Sequence, residues 1–367
     1  MKRNPLVTVL MPCFNGGIYL RSAMVSILNQ TYRDFEFLII NDCSTDDSLE
    51  TIRSFADPRI RVHTNSINMG QTKSLNVGLR LARGKYIVVN DADDYSLPKR
   101  IEAQLDFITK HPEYPVVGCS CYIMNREGKV RRTFHRPTDE REIIIQLLSE
   151  TPMTHGAIMM NREFILSQGG YNEDFRICQD YELWSSIIRK GYRIANLPDI
   201  LVTIRHFMDS LSFRERDTQM LDNARTIKAN IEALCGLEVT LENATRQRVF
   251  FTAPESLTCE EFSSAESLFN EEYRCFKNRD TFGNSFLSKN LAQKLIKPFA
   301  KLAIAQSKSG LLRDARKTSL AYLKRYGFEI IPFVIWVSSF GPPRFLDLFL
   351  AVHEKLETHR AKPHADA

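Results

Sequence analysis

One stretch limits this chain more than any other: Tyr86-Ile87-Val88-Val89, followed at once by Asn90-Asp91-Ala92-Asp93-Asp94. The apolar, β-branched run has the character of an interior strand of a parallel sheet. Three carboxylates directly after it repel one another and raise each other's pKa. Two local explanations fit. A hard divalent cation, Mn²⁺ or Mg²⁺, removes the repulsion, and such ions take one or two protein carboxylates and complete their shell with substrate phosphates. Alternatively, the run is an acidic turn leading into a helix, since Asp94 or Ser96 ahead of Pro98 is a good helix entrance. In open α/β sheets ligands gather at the carboxyl ends of strands, which is where these acids fall.

The flanking chain repeats the pattern. Leu6 to Met11 reads as a strand, Pro12 to Gly17 as a turn-rich loop, and a helix follows with Leu20, Met24 and Ile27 on one face. Phe35 to Ile40 is a second strand that ends in Asn41-Asp42, and Ile60 to His63 a short third one. A helix opens at Asn68-Met69-Gly70-Gln71 and runs to Arg83, with Gly84 in the position of a C′ residue. This alternation predicts a mostly parallel sheet with helices on both faces. Past the acids the pattern predicts a helix over 98–111, a strand over 116–124, a helix over 140–148, a strand over 155–160, a helix over 179–190 and a last strand over 200–204. Beyond Arg214 one helical pattern follows another, so the chain divides into 1–213 and a mainly α-helical 214–367.

Hydrophobic content of 43% and charged content of 25% over 367 residues suit a globular protein with a large core. The 8 cysteines are irregularly spaced, without a CxxC pair, which fits free thiols in a reducing compartment and argues against structural zinc. The apolar run at 6–11 is too short for a signal peptide. The net charge of +5 is unevenly placed: between Arg274 and Arg325 only Asp280 and Asp314 oppose the lysines and arginines. Leu287, Leu291, Leu295, Phe299 and Leu302 recur there at helical spacing, with Lys289, Lys294, Lys297 and Lys301 between them. That pattern suits either an anionic membrane surface or packing on the protein or on a second copy of it, as a homodimer. The apolar run 330–343 is too short to span a bilayer and suits an interfacial segment. Aromatics at Phe276, Phe282, Phe286 and Phe299 interleave with the basic residues, but no nucleic-acid-binding signature accompanies them, so no nucleic-acid partner is expected.

Several strand ends carry an acid or an amide: Asn15, Asp42, and Asp91 with Asp93. Asp180 stands at a helix start in Gln179-Asp180-Tyr181-Glu182-Leu183-Trp184. Each acid alone is a plausible cap; together they describe a site for a polar, phosphorylated ligand. With these motifs in order (Val9 to Asn15, Ser26 to Tyr32, Asn41 to Asp46, Asn68 to Gly70, Leu75 to Gly78, Ala82 to Asp94, Leu97 to Arg100, Gly169 to Tyr171, Gln179 to Trp184), residues 6–213 resemble the inverting glycosyltransferases of family 2.

The resemblance implies a GT-A fold, a Rossmann-like α/β nucleotide-binding sheet, with a nucleotide-sugar half over 1–95 and an acceptor half over 96–213. It implies donor contacts at Pro12, Asn15, Asp42, Asn68, Lys73 and Asp91, with Asp42 accepting from the base. It places Mn²⁺ or Mg²⁺ on Asp93, Asp180 as general base toward the acceptor hydroxyl, and His155 and Trp184 on the acceptor side. The donor is a nucleotide-diphosphate sugar, a UDP-sugar in the first instance, and the acceptor a glycan or a lipid-linked glycan. The setting is cytoplasmic, with the inner face of the plasma membrane as a candidate surface. Two departures stand out. Gln179 occupies a position where relatives often carry Glu. In Ile204-Arg205-His206-Phe207-Met208-Asp209-Ser210-Leu211-Ser212, His206 is the candidate second metal contact, one residue early if the serines set the register, a shift that a loop could absorb. Rival readings are a sugar nucleotidyltransferase, which would want a basic Gly-rich loop where Pro12 to Gly17 has no Lys or Arg, a non-catalytic sugar-nucleotide sensor, and a nucleic-acid binder using the basic tail.

Overall fold

The computed structural model describes residues 4–205 and 215–277 continuously, and scattered positions between 283 and 322. The chain separates into two compact units, Met1–Asp222 and Asn223–Ala367. His206 lies outside the described residues.

The first unit is built on a nine-stranded sheet. Strands β1 (Val7–Cys13), β2 (Phe35–Asn41), β3 (Ile60–Thr64) and β4 (Tyr86–Val89) pair in parallel in the order β3-β2-β1-β4. All residues of β2 and β4 are buried, as expected of strands covered on both faces. Alternation then assigns the two faces. Val7, Val9 and Met11 pack with Leu20, Met24 and Ile27 of α1 (Leu20–Leu28) and with Ile101 and Leu105 of α4 (Arg100–Lys110). Full burial of a Leu, Met or Ile is worth about 1.5–3 kcal/mol, so these residues fix α1 on the sheet. Leu10 meets α3 (Gln71–Leu81) on the opposite face, where Gly78 lies against it. Between β2 and β3 runs the short α2 (Ser48–Arg53).

Parallel pairing stops at β4. Beyond it β8 (Met159–Asn161) is antiparallel to both β4 and β6 (Val116–Met124). β6 returns to parallel pairing with β9 (Ala195–Arg205), and carries the edge strand β7 (Val130–Phe134) antiparallel. The two-residue β5 (Tyr95–Ser96) closes on β9. The sheet is therefore mixed, with the expected parallel character in its first half. Helices α5 (Glu140–Gln146), α6 (Arg162–Ser167) and α7 (Gln179–Arg189) complete the unit.

Two glycines explain local departures from the sequence reading. Gly84 is not a helix cap: α3 ends at Leu81, and a Cβ at Gly84 would sit 2.4 Å from the Thr8 backbone nitrogen. The expected strand 155–160 begins instead as a 3₁₀ turn over His155–Ala157. There a Cβ on Gly156 would stand 2.8 Å from Asp94 Oδ2 and 2.9 Å from Asp91 Oδ2. Gly156 lets the chain pass under the carboxylates.

In the second unit, described residues form α8 (Arg216–Cys235, which begins in the first unit's sequence), α9 (Leu241–Thr252) and α10 (Cys259–Lys277). Phe262 stacks edge-on to Phe299 at 5.0 Å, and Phe299 on Tyr322 at 5.3 Å. Leu295 and Phe299 are buried, so packing within the unit, one of the two readings left open above, accounts for these two positions of the stripe. Phe276 is buried as well, and neither it nor Phe299 offers a stacking face. Leu287, Leu291 and the run 330–343 lie outside the described residues. Among the described residues no helix is long and apolar enough to cross a membrane.

Candidate active site

A cleft of about 590 Å³ opens at the carboxyl ends of β1, β2 and β4. Pro12, Asn15, Asp42, Asn68, Asp91 and Asp93 line it, together with Tyr19, Gln71, Ser74 and Arg176, which the sequence reading did not single out. Lys73 lies instead on an adjoining recess of about 330 Å³. The first wall is made by lacing the loop after β1 to the loop after β2. Asn15 adopts a left-handed conformation, φ 50°, which asparagine tolerates better than most residues. Its Oδ1 accepts from the Thr45 N–H at 2.8 Å, while the Gly16 N–H donates to Ser48 Oγ at 2.8 Å and the Gly17 N–H to Asp46 Oδ2 at 3.1 Å.

Asp42 is buried. Its Oδ1 accepts from Asn65 Nδ2 at 2.7 Å and from the Met69 N–H at 2.9 Å, and its Oδ2 accepts from the Gly70 N–H at 2.8 Å. The carboxylate thus folds the 68–70 turn against the cleft, a role the sequence did not reveal because its partners are backbone groups far along the chain. Asp42→Asn replaces one acceptor oxygen with an N–H₂ that must face a backbone N–H. With hydrogen bonds to charged groups worth about 1.5–3 kcal/mol, urea unfolding of this variant without nucleotide should show a loss of that order. Unchanged stability would return Asp42 to a purely ligand-facing role.

The acidic turn divides its labour. Asp91 and Asp93 face the cleft; Asp94 is buried below it, accepting from the Arg205 N–H at 2.8 Å. Burial, then the charges of Asp93 and Asp91, push the Asp94 carboxyl well above the ordinary range. Burial and the neighbouring Asp91 push Asp93 up to about 6. This residual repulsion is what a cation at Asp91 and Asp93 would relieve. No group of three or more His, Cys, Asp or Glu is arranged around a common metal position among the described residues. Two carboxylates with phosphate and water completing the shell is the usual Mg²⁺ arrangement in nucleotide sites, and the pair fits it. Arg205 braces the turn: its Nε donates to the Asp93 carbonyl at 3.1 Å, and its guanidinium lies 4.0 Å from the centre of the Tyr19 ring.

A second cluster lies beside the cleft. His155 Nε2 meets the buried Tyr171 hydroxyl at 3.0 Å, and His155 Nδ1 lies 4.0 Å from Asp91 Oδ1. Asp180, in the first turn of α7, is partly buried. Burial raises its pKa; the nearby His155 and Arg136 pull it down and Asp91 pushes it up. Asp180 therefore feels the charge of Asp91 without lining the cleft. Gln71 links the two clusters, donating from Nε2 to Asp91 Oδ1 at 3.3 Å and accepting from Gln179 Nε2 at 3.5 Å. The direction of this chain accounts for an amide at 179, because a carboxylate there has no proton to offer Gln71. Trp184 corrects an expectation. It lies wholly inside the core with its indole N–H unpartnered, and has no surface to offer an acceptor.

Comparisons with known proteins identify the fold and the family. The fold is similar to that of TarS 1-349 of S. aureus in complex with UDP-GlcNAc, at a TM-score of 0.53 and 16% identity, over 87% of this chain and 91% of that one. This is the GT-A fold. The sequence model of glycosyl transferase family 2 matches residues 8–170. EpsE of Bacillus subtilis strain 168, named as a glycosyltransferase, is 34% identical over 230 residues, 61% of this chain and 81% of EpsE. The amylovoran biosynthesis glycosyltransferase AmsE of Erwinia amylovora is 28% identical over 198 residues, 53% of this chain and 73% of AmsE. The chain belongs to glycosyl transferase family 2 and is a glycosyltransferase.

Proposed function

We propose that the protein transfers a sugar from a nucleotide-diphosphate sugar to a glycan hydroxyl, with inversion, in the assembly of a polysaccharide. The observation that carries this reading is the cleft in which the laced β1 and β2 loops face Asp91 and Asp93. One wall suits a nucleoside and the other a diphosphate. The wall at Asp42 would receive the base, and the backbone of Pro12 to Asn15 would follow the nucleoside. Asp91 and Asp93 would hold Mn²⁺ or Mg²⁺, which supplies Lewis-acid neutralisation of the departing diphosphate. Asp180 takes the proton from the acceptor hydroxyl as that oxygen attacks the anomeric carbon. Attack from the face opposite the leaving group inverts the centre. Uridine is the nucleotide to try first, because the TarS complexes contain UDP-GlcNAc and UDP, and AmsE's name supports a polysaccharide product.

The test is a screen of nucleotide sugars for nucleotide-diphosphate release with Mn²⁺ and with Mg²⁺. We expect release with one sugar nucleotide well above the others and its loss in excess EDTA. Asp93→Asn should lose most metal-dependent donor affinity while keeping metal-free nucleotide binding. Full turnover in EDTA, or unchanged Mn²⁺ dependence in Asp93→Asn, would overturn the metal assignment. No release with any sugar nucleotide would overturn the donor assignment.

A further inference from the structure

We propose that the hairpin of β6 and β7 is a docking arm for an anionic segment of the glycan acceptor. This rests on the glycosyl-transfer reading above and names the chemistry of its acceptor.

The arm is basic and well built. Lys129, Arg131 and Arg132 are exposed, and Glu127 is the single acid in 125–134. The turn between the strands is closed by Asn125, whose Oδ1 accepts from the Lys129 N–H at 2.9 Å and whose carbonyl accepts from the Gly128 N–H at 3.1 Å. Gly128 supplies the left-handed residue, φ 79°. Cations on an edge strand also discourage pairing with another chain, and the opposite edge of the same sheet shows what that function alone requires. There Arg59 bonds Asp57 at 2.8 Å and Arg61 bonds Glu36 at 3.2 Å, so the edge charge is neutralised locally. Lys129 and Arg131 make no ion pair among the described residues. The β7 edge carries a surplus of positive charge beyond what edge protection asks.

Its position relates it to the site at both ends, the turn and the root. β6 and β9 run parallel with Met124 opposite Arg205. Arg205 donates from Nη1 to the Arg126 carbonyl at 3.1 Å and from Nε to the Asp93 carbonyl at 3.1 Å. At the root, past the end of β7, Arg136 Nε donates to Thr154 Oγ1 at 2.8 Å, next to His155, and its charge acts on Asp180. The arm therefore runs from the candidate base, at its root, to the acidic turn, at its tip. An acceptor with one hydroxyl at Asp180 must lead its remaining sugars away, and the arm, rooted next to Asp180 through Arg136, offers them a surface. A neutral glycan gains little from these cations; one bearing carboxylates or phosphates meets them with opposite charge, which raises both encounter rate and affinity. An anionic bilayer offers the same charge, but interfacial binding also wants apolar side chains to insert. Val130 is the only exposed large apolar residue in 126–135.

The experiment measures binding of the full-length protein to oligogalacturonate, neutral dextran oligomers and phosphatidylglycerol vesicles at low and high salt. The variant is Lys129→Gln/Arg131→Gln/Arg132→Gln. A charge-matched control, Lys85→Gln/Lys110→Gln/Lys190→Gln, removes exposed lysines elsewhere on the unit, and circular-dichroism melting verifies that both fold. We expect salt-sensitive binding to oligogalacturonate and none to dextran, with affinity roughly tenfold weaker in the arm variant and within about twofold of wild type in the control. Equal losses in both variants, no loss in the arm variant, or arm-dependent binding confined to vesicles would overturn the proposal. Nucleotide-diphosphate release separates the two readings. Arm-dependent binding in a protein that releases none overturns the transfer reading and the acceptor role with it, leaving a polyanion-binding arm.

Discussion

Asp180→Asn should lower turnover by about 10² to 10⁴, the usual worth of a positioned general base, and leave the donor dissociation constant within a few-fold. The separation of the two effects follows from the geometry. Asp180 lies outside the 590 Å³ cleft and reaches its acids only through the charge of Asp91. The amide keeps the size of the side chain and its place in the first turn of α7, but cannot accept the proton of the attacking hydroxyl. Single-turnover nucleotide-diphosphate release with saturating donor measures the first quantity, and a titration with intact donor analogue the second. A variant that turns over normally removes Asp180 from the mechanism; one that loses donor affinity in parallel makes it a structural support of the cleft.

As the proposed base, the same residue should set the acid limb of the pH profile. A base works in its deprotonated form, and burial raises the Asp180 pKa above the ordinary value. Activity is therefore present above that raised pKa and declines as pH falls through it, at higher pH than a solvated aspartate would give. His155 is the largest influence pulling it down. His155→Gln should move the limb to still higher pH.

Which parts of this arrangement were legible in the sequence follows from how local their signals are. The strand ending at Met124 was readable residue by residue, because Val116 to Met124 is a short apolar run between turn signals and becomes β6 without a shift. The acids at the ends of β2 and β4 were readable for the same reason: each directly follows a buried run. Trp184 was misread because α7 is buried on more than one side. Tyr181, Leu183, Trp184, Ile187 and Ile188 are all inside, so its helical periodicity could not tell a wall of the site from the core. Arg205 and Arg136 carried no signal at all. Each acts through backbone or hydroxyl groups distant in sequence, and only the fold brings Arg205 to the Asp93 carbonyl and Arg136 to Thr154. β7 was missed because a strand reading Val-Arg-Arg-Thr-Phe has the composition of an exposed loop.

Arg100 was hidden most completely, and its loss should be the most damaging to the fold. It reads as the first residue of an ordinary helix, yet it has no exposed surface. Its Nη1 donates to Asn90 Oδ1 at 3.0 Å and Ser96 Oγ at 2.8 Å, its Nη2 to the carbonyls of Val89 at 2.6 Å and Ile158 at 3.2 Å, and its Nε to Gln104 Oε1 at 3.2 Å. Burial lowers its pKa to about 10, which leaves it charged at neutral pH beneath the buried Asp94. One guanidinium thus ties the last residue of β4, the turn before the acids and the chain entering β8. Arg100→Met fits the volume but strands several buried acceptors, each costing about 1–3 kcal/mol, so we expect a loss of about 3–5 kcal/mol. Arg100→Lys, with one compact head for five separate contacts, should recover only part of it. Fluorescence of Trp184 in a Trp336→Phe background reports unfolding of the first unit. Because Arg100 holds the backbone on which Asp91 and Asp93 stand, Arg100→Lys should also bind donor more weakly at temperatures where it is fully folded. A destabilisation below about 1 kcal/mol, the scale of an ordinary surface change, would mean that the acceptors find other donors and that the acidic turn is held without Arg100.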